Sequence, residues 1–316
     1  STRQRRWAVP RNVAWSSRTA WLVWKRPLAV DAWFSRFALG RLGFEQRTIE
    51  GPAGNLCVWE GGSGPTLVLL HGAGDQAGAW ARVVGGLVPY YRVVIPDMPG
   101  HWKSDPRSGP IHMTELLDGL DALMNACCAD EPAIIVGNSM GGWLGFLYAR
   151  DNPDRVSRLV AVNGGPLLNP NPNQVNIFPT NREEARATLK ALMGPASPPI
   201  PDHVLDDIVR RTADGPAARF ASTAGEFGPY LLDGRLGEVE VPVELLWGDA
   251  DQLLTIDYAK RILDGLPRAR LHPIHGCGHV PQRECPLDFL EVLKGGLELE
   301  PPEPKPIGEP VMEAEP

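Results

Sequence analysis

Short apolar runs alternate along most of the chain with stretches whose apolar residues recur at helical spacing. Buried parallel strands read as continuous apolar runs, and the helices that connect them show the helical period. This alternation predicts an α/β protein whose parallel sheet is covered by helices on both faces. The apolar runs lie at residues 66–70, 92–96, 134–136, 158–163, 241–247 and 269–274.

An antiparallel hairpin is predicted before the first of these strands. Apolar and polar residues alternate over 44–49 and again over 56–60, and a turn rich in glycine separates the two stretches. With the hairpin included, the sheet is predicted to be mostly parallel and eight-stranded. The helices of this core are predicted at residues 77–87, 114–128, 142–150, 256–266 and 287–297.

A helical insertion at residues 164–232 interrupts the alternation. Residues 180–183 read as a capping box that opens its first helix. Since parallel sheets bind ligands at the carboxyl ends of their strands, an insertion at that edge is predicted to be a cap domain over the site. Its helices are predicted at 180–193, 201–213 and 216–227.

Both ends of the chain differ from the core in composition. Residues 1–43 are basic and rich in tryptophan, and Pro27 is expected to divide them into two helices. Such an arm either lies in a membrane interface or packs on the body or on a second subunit. Residues 298–316 hold six acidic residues and six prolines, which predicts a disordered tail. The insertion at 164–232 divides the core into residues 44–163 and 233–297.

Composition and charge narrow the function classes. Hydrophobic residues make up 43% and charged residues 22% of 316 residues, as in globular proteins. Residues 1–50 carry ten Arg or Lys against three acidic residues, whereas the whole chain has a net charge of −7. Because the remainder is acidic and holds no nucleic-acid-binding module, nucleic acid is not expected as a partner. A homo-oligomer remains an open possibility.

The cysteine pattern and the length of the apolar runs predict where in the cell the protein resides. Five scattered cysteines predict neither a disulfide framework nor a metal site, and Cys277 reads as a small packing residue. No secretory signal or membrane-spanning segment is expected. The predicted location is the cytoplasm, with membrane association possible through the basic arm.

The stretch Gly137-Asn138-Ser139-Met140-Gly141 joins a predicted strand to a predicted helix. A G-x-S-x-G turn at such a junction exposes its serine at the top of the sheet, and its glycines let neighbouring backbone approach. The helix that starts at Met140 contributes a free N–H group and a positive dipole end. Ser139 is therefore the candidate nucleophile for acyl transfer.

A serine nucleophile needs a base and a group that orients the base. Asp251 and His279 follow later strands directly, so both are expected at the edge of the sheet where Ser139 lies. We assign His279 as the base and Asp251 as its orienting acid, with Asp249 as the rival acid.

The oxyanion of a tetrahedral intermediate requires two N–H donors. The Met140 N–H is one candidate. Ala73, in the loop after the first parallel strand, is the second candidate, and Gly74 is the alternative if the loop turns by one residue.

Five motifs in register resemble the α/β-hydrolase superfamily over roughly residues 44–297: His71-Gly72, 97–101, 137–142, 247–251 and 276–279. Within it the chain resembles bacterial esterases and monoacylglycerol lipases, some of which carry an N-terminal membrane-associated helix. The resemblance implies an α/β-hydrolase fold and hydrolysis of carboxylic esters with modest acyl chains, without cofactor or metal. Trp102 departs from the pattern, since glycine is common after His101.

The same elbow also resembles hydrolases that cleave carbon–carbon bonds in ring-fission products. Such sites bind a dienoate carboxylate, so a basic cap residue such as Arg182 or Arg186 would have to face Ser139. A non-catalytic binding protein on this scaffold is the third alternative. Gly74, Trp102 and Phe227 are the candidate substrate contacts, Phe227 as part of an apolar acyl pocket in the cap.

Overall fold

The computed structural model describes residues 25–169, 173 and 175–299. The first half of the predicted N-terminal arm and nearly all of the predicted tail lie outside these residues. In the part of the chain that is described, no helix combines the length and the apolar character needed to cross a bilayer.

Eight strands in the described residues form one sheet in the order β1-β2-β4-β3-β5-β6-β7-β8. The hairpin strands β1 and β2 are antiparallel to each other, β2 is antiparallel to β4, and β3 to β8 are parallel. The predicted mostly parallel, eight-stranded sheet is thereby confirmed. The strands are β1 Glu45–Gly51, β2 Gly54–Gly62, β3 Thr66–Leu70, β4 Arg92–Pro96, β5 Ala133–Asn138, β6 Val156–Val162, β7 Val243–Gly248 and β8 Ala269–Ile274.

Helices cover both faces of this sheet, because its central strands bury side chains on both sides. In β3, Val68 and Leu70 belong to one apolar cluster, while Leu67 and Leu69 belong to the other. The α-helices are α1 Pro27–Arg41, α2 Met113–Cys127, α3 Met140–Asp151, α4 Arg182–Leu192, α5 Asp202–Asp214, α6 Pro216–Ala221, α7 Ile256–Gly265, α8 Pro281–Glu284 and α9 Pro286–Gly296.

Three predicted helices differ from the structure. Residues 77–87 form two short 3₁₀ turns, Ala77–Trp80 and Val84–Gly86, since three glycines in this stretch weaken an α-helix. The predicted helix at 216–227 ends early at Ala221. The N-cap of α4 is Asn181 rather than Thr180, because the Asn181 side chain accepts from the Glu184 N–H.

Helix α1 packs on the body through a buried arginine. Arg36, only 6% exposed, forms an ion pair with Asp97 directly after β4, and its Nη1 also donates to Gln76. Asp97 in addition accepts from the Ala77 N–H at 2.9 Å. The described part of the predicted arm is therefore anchored where β4 ends.

Removing this arginine should destabilise the fold. Arg36→Met leaves the Asp97 carboxylate buried without its cation, and breaking one side of a buried pair typically costs about 3–5 kcal/mol. Urea unfolding of both proteins measures the difference. Arg41→Met, an exposed position on the same helix, is the control and should change the free energy of unfolding little. A loss as small as in the control would mean that the pair contributes nothing.

The helical insertion is joined to the loops at the carboxyl ends of β7 and β8. Its Ala191 carbonyl accepts from the Gln252 N–H at 3.0 Å, and its Leu192 carbonyl accepts from the His279 N–H at 2.7 Å. The α4 end therefore contacts both loops that bear the predicted acid and base.

Candidate active site

Ser139 occupies a strained turn between β5 and α3. Its φ of 52° and ψ of −115° lie outside the regions that L-residues favour. A Cβ at Gly137 would come within 2.2 Å of the Gly141 carbonyl oxygen, and one at Gly141 within 2.4 Å of the Leu70 carbonyl oxygen. Glycine at both positions lets the helix approach the sheet closely enough to form this turn.

The structure brings Ser139, His279 and Asp251 into one hydrogen-bonded chain. His279 Nε2 lies 2.9 Å from Ser139 Oγ, and His279 Nδ1 lies 2.6 Å from Asp251 Oδ2. The histidine and the aspartate are buried, while Ser139 is partly exposed. This is the spacing that a hydroxyl nucleophile, a base and an orienting carboxylate require.

The Asp251 carboxylate is surrounded by donors. Its Oδ1 accepts from the Leu253 and Leu254 N–H groups at 2.8 and 3.1 Å. Its Oδ2 accepts from Asn163 Nδ2 at 2.9 Å besides facing His279. These bonds fix the orientation of the carboxylate and hold one oxygen toward the imidazole.

Two buried asparagines support the triad, and the sequence analysis missed both. Asn163 directly follows β6 and binds Gly248 as well as Asp251, while Asn138 is the last residue of β5 and donates to the carbonyls of Val162 and His279. An amide directly after a buried apolar strand needs partners, which is the signal that could have identified them. Their partners come from loops distant in sequence.

The structure separates the two candidate acids. Asp249 Oδ2 lies 2.8 Å from Nδ1 of His275, whose side chain is 87% exposed, and its Oδ1 accepts from the Gly276 N–H. Asp251, not Asp249, contacts His279. Asp249 instead stabilises the turn at His275 and Gly276, at the start of the loop that bears His279.

The loop after β3 lies against Ser139. A Cβ at Gly72 would come within 3.2 Å of the Ser139 Cβ, and the Asp75 N–H closes a turn onto the Gly72 carbonyl. Within the described residues, neither of the N–H groups in the middle of this turn, those of Ala73 and Gly74, meets an acceptor. The Met140 N–H belongs to the first turn of α3, where N–H groups lack intrahelical partners.

Two buried histidines connect this loop to the loop after β4. His71 Nε2 accepts from the Met98 N–H at 2.9 Å, and the His71 and His101 rings meet edge to face. Burial lowers the pKa of His71, and burial followed by the neighbouring His71 lowers the pKa of His101 to about 3. Both rings are therefore neutral supports near neutral pH.

Acid should destabilise the protein through His101. The unfolded chain takes up this proton near pH 6.5 and the folded chain near pH 3, so the free energy of unfolding falls as pH drops through that window. At pH 5 the loss from this residue is about 2 kcal/mol. Urea unfolding at pH 7 and pH 5 measures the loss, which should shrink in His101→Gln and persist in His275→Gln. An unchanged loss in His101→Gln would contradict the assignment.

One disulfide joins the loop that bears His279 to the chain after it, although no disulfide framework was expected, and it corrects the prediction that Cys277 is a small packing residue. Cys277 bonds to Cys285, with a Cα–Cα distance of 6.2 Å, because the short helix α8 returns the chain to the start of the loop. Among the described residues, these cysteines and Asp288 are the group close enough to share a metal ion. The disulfide removes both thiolates, so this group does not suit a metal.

Glu284 connects the base loop to the insertion. Its Oε2 accepts from the Gly278 N–H, and its Oε1 accepts from the Gly194 N–H and the Ser197 hydroxyl. The backbone beside His279 is thereby held by the segment that follows α4.

The candidate substrate contacts lie in different surroundings. Phe227 packs with Phe220 and Trp143, and Trp143 Nε1 donates to the Tyr230 carbonyl. Gly74 faces Ala217 of α6, where a Cβ would approach to 3.0 Å. Trp102 instead stacks on the Arg36 guanidinium, 5.1 Å from it, at a positive φ of 42°.

The two cap arginines considered for a carboxylate site are engaged elsewhere. Arg182 pairs with Asp206 and Arg186 with Asp202, and all four side chains are more than half exposed. These ion pairs connect α4 to α5 at the surface.

Comparison with known proteins places this geometry in context. A model of the alpha/beta hydrolase family matches residues 67–292. A 2-hydroxy-6-oxononadienedioate/2-hydroxy-6-oxononatrienedioate hydrolase from Cupriavidus pinatubonensis is 32% identical, over 72% of this chain and 85% of that protein. An enzyme of the same name from Dechloromonas aromatica is 34% identical, over 72% of this chain and 88% of that protein.

Solved structures agree on the fold. That of a membrane phospholipase A superposes with a TM-score of 0.71 at 23% identity, and covers 89% of this chain and 94% of its own. At this identity the likeness concerns architecture alone.

Proposed function

The chain belongs to the alpha/beta hydrolase family, and on that premise we propose that Ser139, His279 and Asp251 are its catalytic triad. His279 Nε2 takes the Ser139 proton as Oγ attacks a substrate carbonyl carbon. Asp251 holds the imidazole in the required tautomer and stabilises the imidazolium that forms. The observation that supports these roles is the continuous chain of hydrogen bonds from Ser139 to Asp251.

The developing oxyanion is assigned to the N–H groups of Met140 and Ala73. Both belong to backbone that lies against Ser139, and Gly74 remains the alternative donor of the turn. His279 then returns its proton to the leaving group, and an activated water releases the acyl group from Ser139.

We propose carbon–carbon bond hydrolysis of 2-hydroxy-6-oxo-dienoates as the substrate class. Relatives at 32% and 34% identity are named as hydrolases of 2-hydroxy-6-oxononadienedioate and 2-hydroxy-6-oxononatrienedioate, and the chain covers 85% and 88% of their length. Attack at the 6-oxo carbon breaks its bond to carbon 5. The reacting species is the 2-oxo tautomer, in which the 2-hydroxyl proton has moved to carbon 5. The electron pair released from the broken bond is then delocalised onto the 2-oxygen, which takes the proton from His279.

Carboxylic ester hydrolysis is the second candidate, and two observations favour it. The arginines considered for a dienoate carboxylate, Arg182 and Arg186, pair with surface aspartates. The aromatic cluster that Phe220 and Phe227 of the insertion form with Trp143 of α3 suits an apolar acyl group.

A two-substrate comparison tests the proposal. Initial rates are measured on 2-hydroxy-6-oxononadienedioate and on p-nitrophenyl esters of increasing acyl length, with Ser139→Ala as control. We expect kcat/KM to be at least about tenfold higher on the dienoate than on the best ester. The reverse order would identify an esterase. If the folded protein hydrolysed neither the dienoate nor any ester, the proposed hydrolase activity would be wrong, and a ligand-binding role would be favoured.

A further inference from the structure

A cleft of about 370 Å³ lies between α1 and the core, away from the triad. Four aromatic rings and three basic side chains line it, together with Gly40 and Gln46: Trp33, Phe37, Trp59, Trp102, Arg36, Arg41 and Lys103. None of the triad residues belongs to its wall. We refer to it as the aromatic cleft.

Two buried N–H groups of the aromatic cleft have no acceptor among the described residues. They are Trp59 Nε1 and Arg36 Nε. The other Arg36 nitrogens are engaged, with Asp97, Gln76 and, weakly, the Cys57 sulfur. A buried donor without a partner is rare, because leaving it unpaired is unfavourable. Both groups belong to residues that line the cleft, so a bound acceptor is the partner that the described residues do not supply.

The charge of the aromatic cleft favours an anion. Asp97 neutralises Arg36. Among the described residues, however, Lys103 Nζ has only the neutral Gln46 amide oxygen as partner, and Arg41 pairs with no carboxylate. Two exposed cations thus remain beside the aromatic rings. An acidic group placed there gains both cations as well as the two free donors.

The outer edge of the same cleft is apolar. Trp33 and Phe37 stack with their rings 5.6 Å apart and are 58% and 56% exposed, and neighbouring Phe34 is 48% exposed. Exposed aromatic rings beside basic residues are typical of surfaces that contact the headgroup region of a bilayer. A ligand with both an acidic group and an apolar chain satisfies the two halves of the cleft together.

We propose that the aromatic cleft binds the acidic headgroup, a phosphate or carboxylate, of an amphipathic anion whose acyl chain lies along Trp33 and Phe37. The source is a bilayer containing anionic phospholipid or a dissolved amphiphile of the same chemistry. The proposal does not depend on the reaction at Ser139. It also gives Trp102 a role, as the ring that holds Arg36 in place at the cleft wall.

Binding is tested in the full chain carrying Ser139→Ala, so that ester bonds of the probes survive. Calorimetry measures dihexanoyl phosphatidylglycerol and dihexanoyl phosphatidylcholine below micelle formation. Sedimentation measures vesicles of phosphatidylcholine with and without phosphatidylglycerol. We expect binding of the anionic lipid and little binding of the zwitterionic one. The combined Arg41→Gln and Lys103→Gln change should weaken the affinity about thirtyfold, since each basic residue near an anionic surface contributes about fivefold.

Two further variants separate the cleft from general charge. Trp59→Phe removes one unpaired donor but keeps an aromatic ring, and should weaken binding several-fold. Lys190→Gln, an exposed lysine on α4, should leave it unchanged. Binding of the monomeric lipid without vesicle binding would keep the site and identify a dissolved amphiphile. No binding of either lipid form, or affinities that the cleft variants do not change, would overturn the proposal.

Discussion

Replacing Ser139 by alanine should lower kcat by a factor of about 10⁶ on the substrate that the protein prefers, with KM nearly unchanged. Its Oγ is the atom that His279 Nε2 contacts, so without it the base has no nucleophile to activate. The fold should survive, because Ser139 adopts its turn through backbone bonds to Val162 and Trp143 rather than through its hydroxyl.

The matched control is Ser222→Ala. Ser222 is exposed, its hydroxyl donates to the Arg219 carbonyl, and its removal should leave rates within about twofold. If Ser139→Ala retained more than about one per cent of the activity, a different nucleophile would have to be sought, and the proposed triad would be wrong.

Asp251→Asn should reduce kcat by about 10⁴, the second largest effect expected. Every oxygen of this side chain accepts a hydrogen bond, from Asn163, His279 and the backbone after it. An amide in its place presents an NH₂ group to one of these donors. His279 then either loses its orienting partner or adopts the tautomer that cannot accept the Ser139 proton.

Asp249→Asn is the control for this change, two residues away in the same loop. Because Asp249 contacts the exposed His275 and the Gly276 N–H, its substitution should alter kcat by a few-fold at most. The pair of variants distinguishes an orienting acid from a loop-stabilising one. Equal losses would mean that loop integrity, rather than the Asp251 carboxylate, limits the rate.

The eight strands and the elbow could be predicted because each depends on local pattern. A strand buried on both faces is a nearly continuous apolar run, as residues 67–70 of β3 are, and a sharp strand-to-helix turn needs glycine on both sides of Ser139. The order of Ser139, Asp251 and His279 at strand ends likewise followed from the topology that the alternation implies.

Features that depend on contacts between distant segments could not be predicted from the sequence. Asn163 reads as an ordinary residue until β6 and β7 are neighbours, when it lies 2.9 Å from the acid. The sequence does not indicate that Cys285 pairs with Cys277, because only the short helix α8 brings the two side chains together. Trp102 reads as an irregular loop residue until α1 brings Arg36 beneath its ring. In each case the role of the residue becomes apparent only from its contact with a partner that is distant in sequence.

The two successive carbonyls at the end of α4 limit how the insertion can be exchanged for that of another family member. Ala191 and Leu192 accept hydrogen bonds from the loops that bear Asp251 and His279, so the insertion supports the proposed site. A chimera that exchanged the whole insertion for that of another hydrolase would remove these two supports. Exchanges that begin after Gly194 keep them, and α5 and α6 are therefore the elements in which new substrate preferences can be selected without rebuilding the triad.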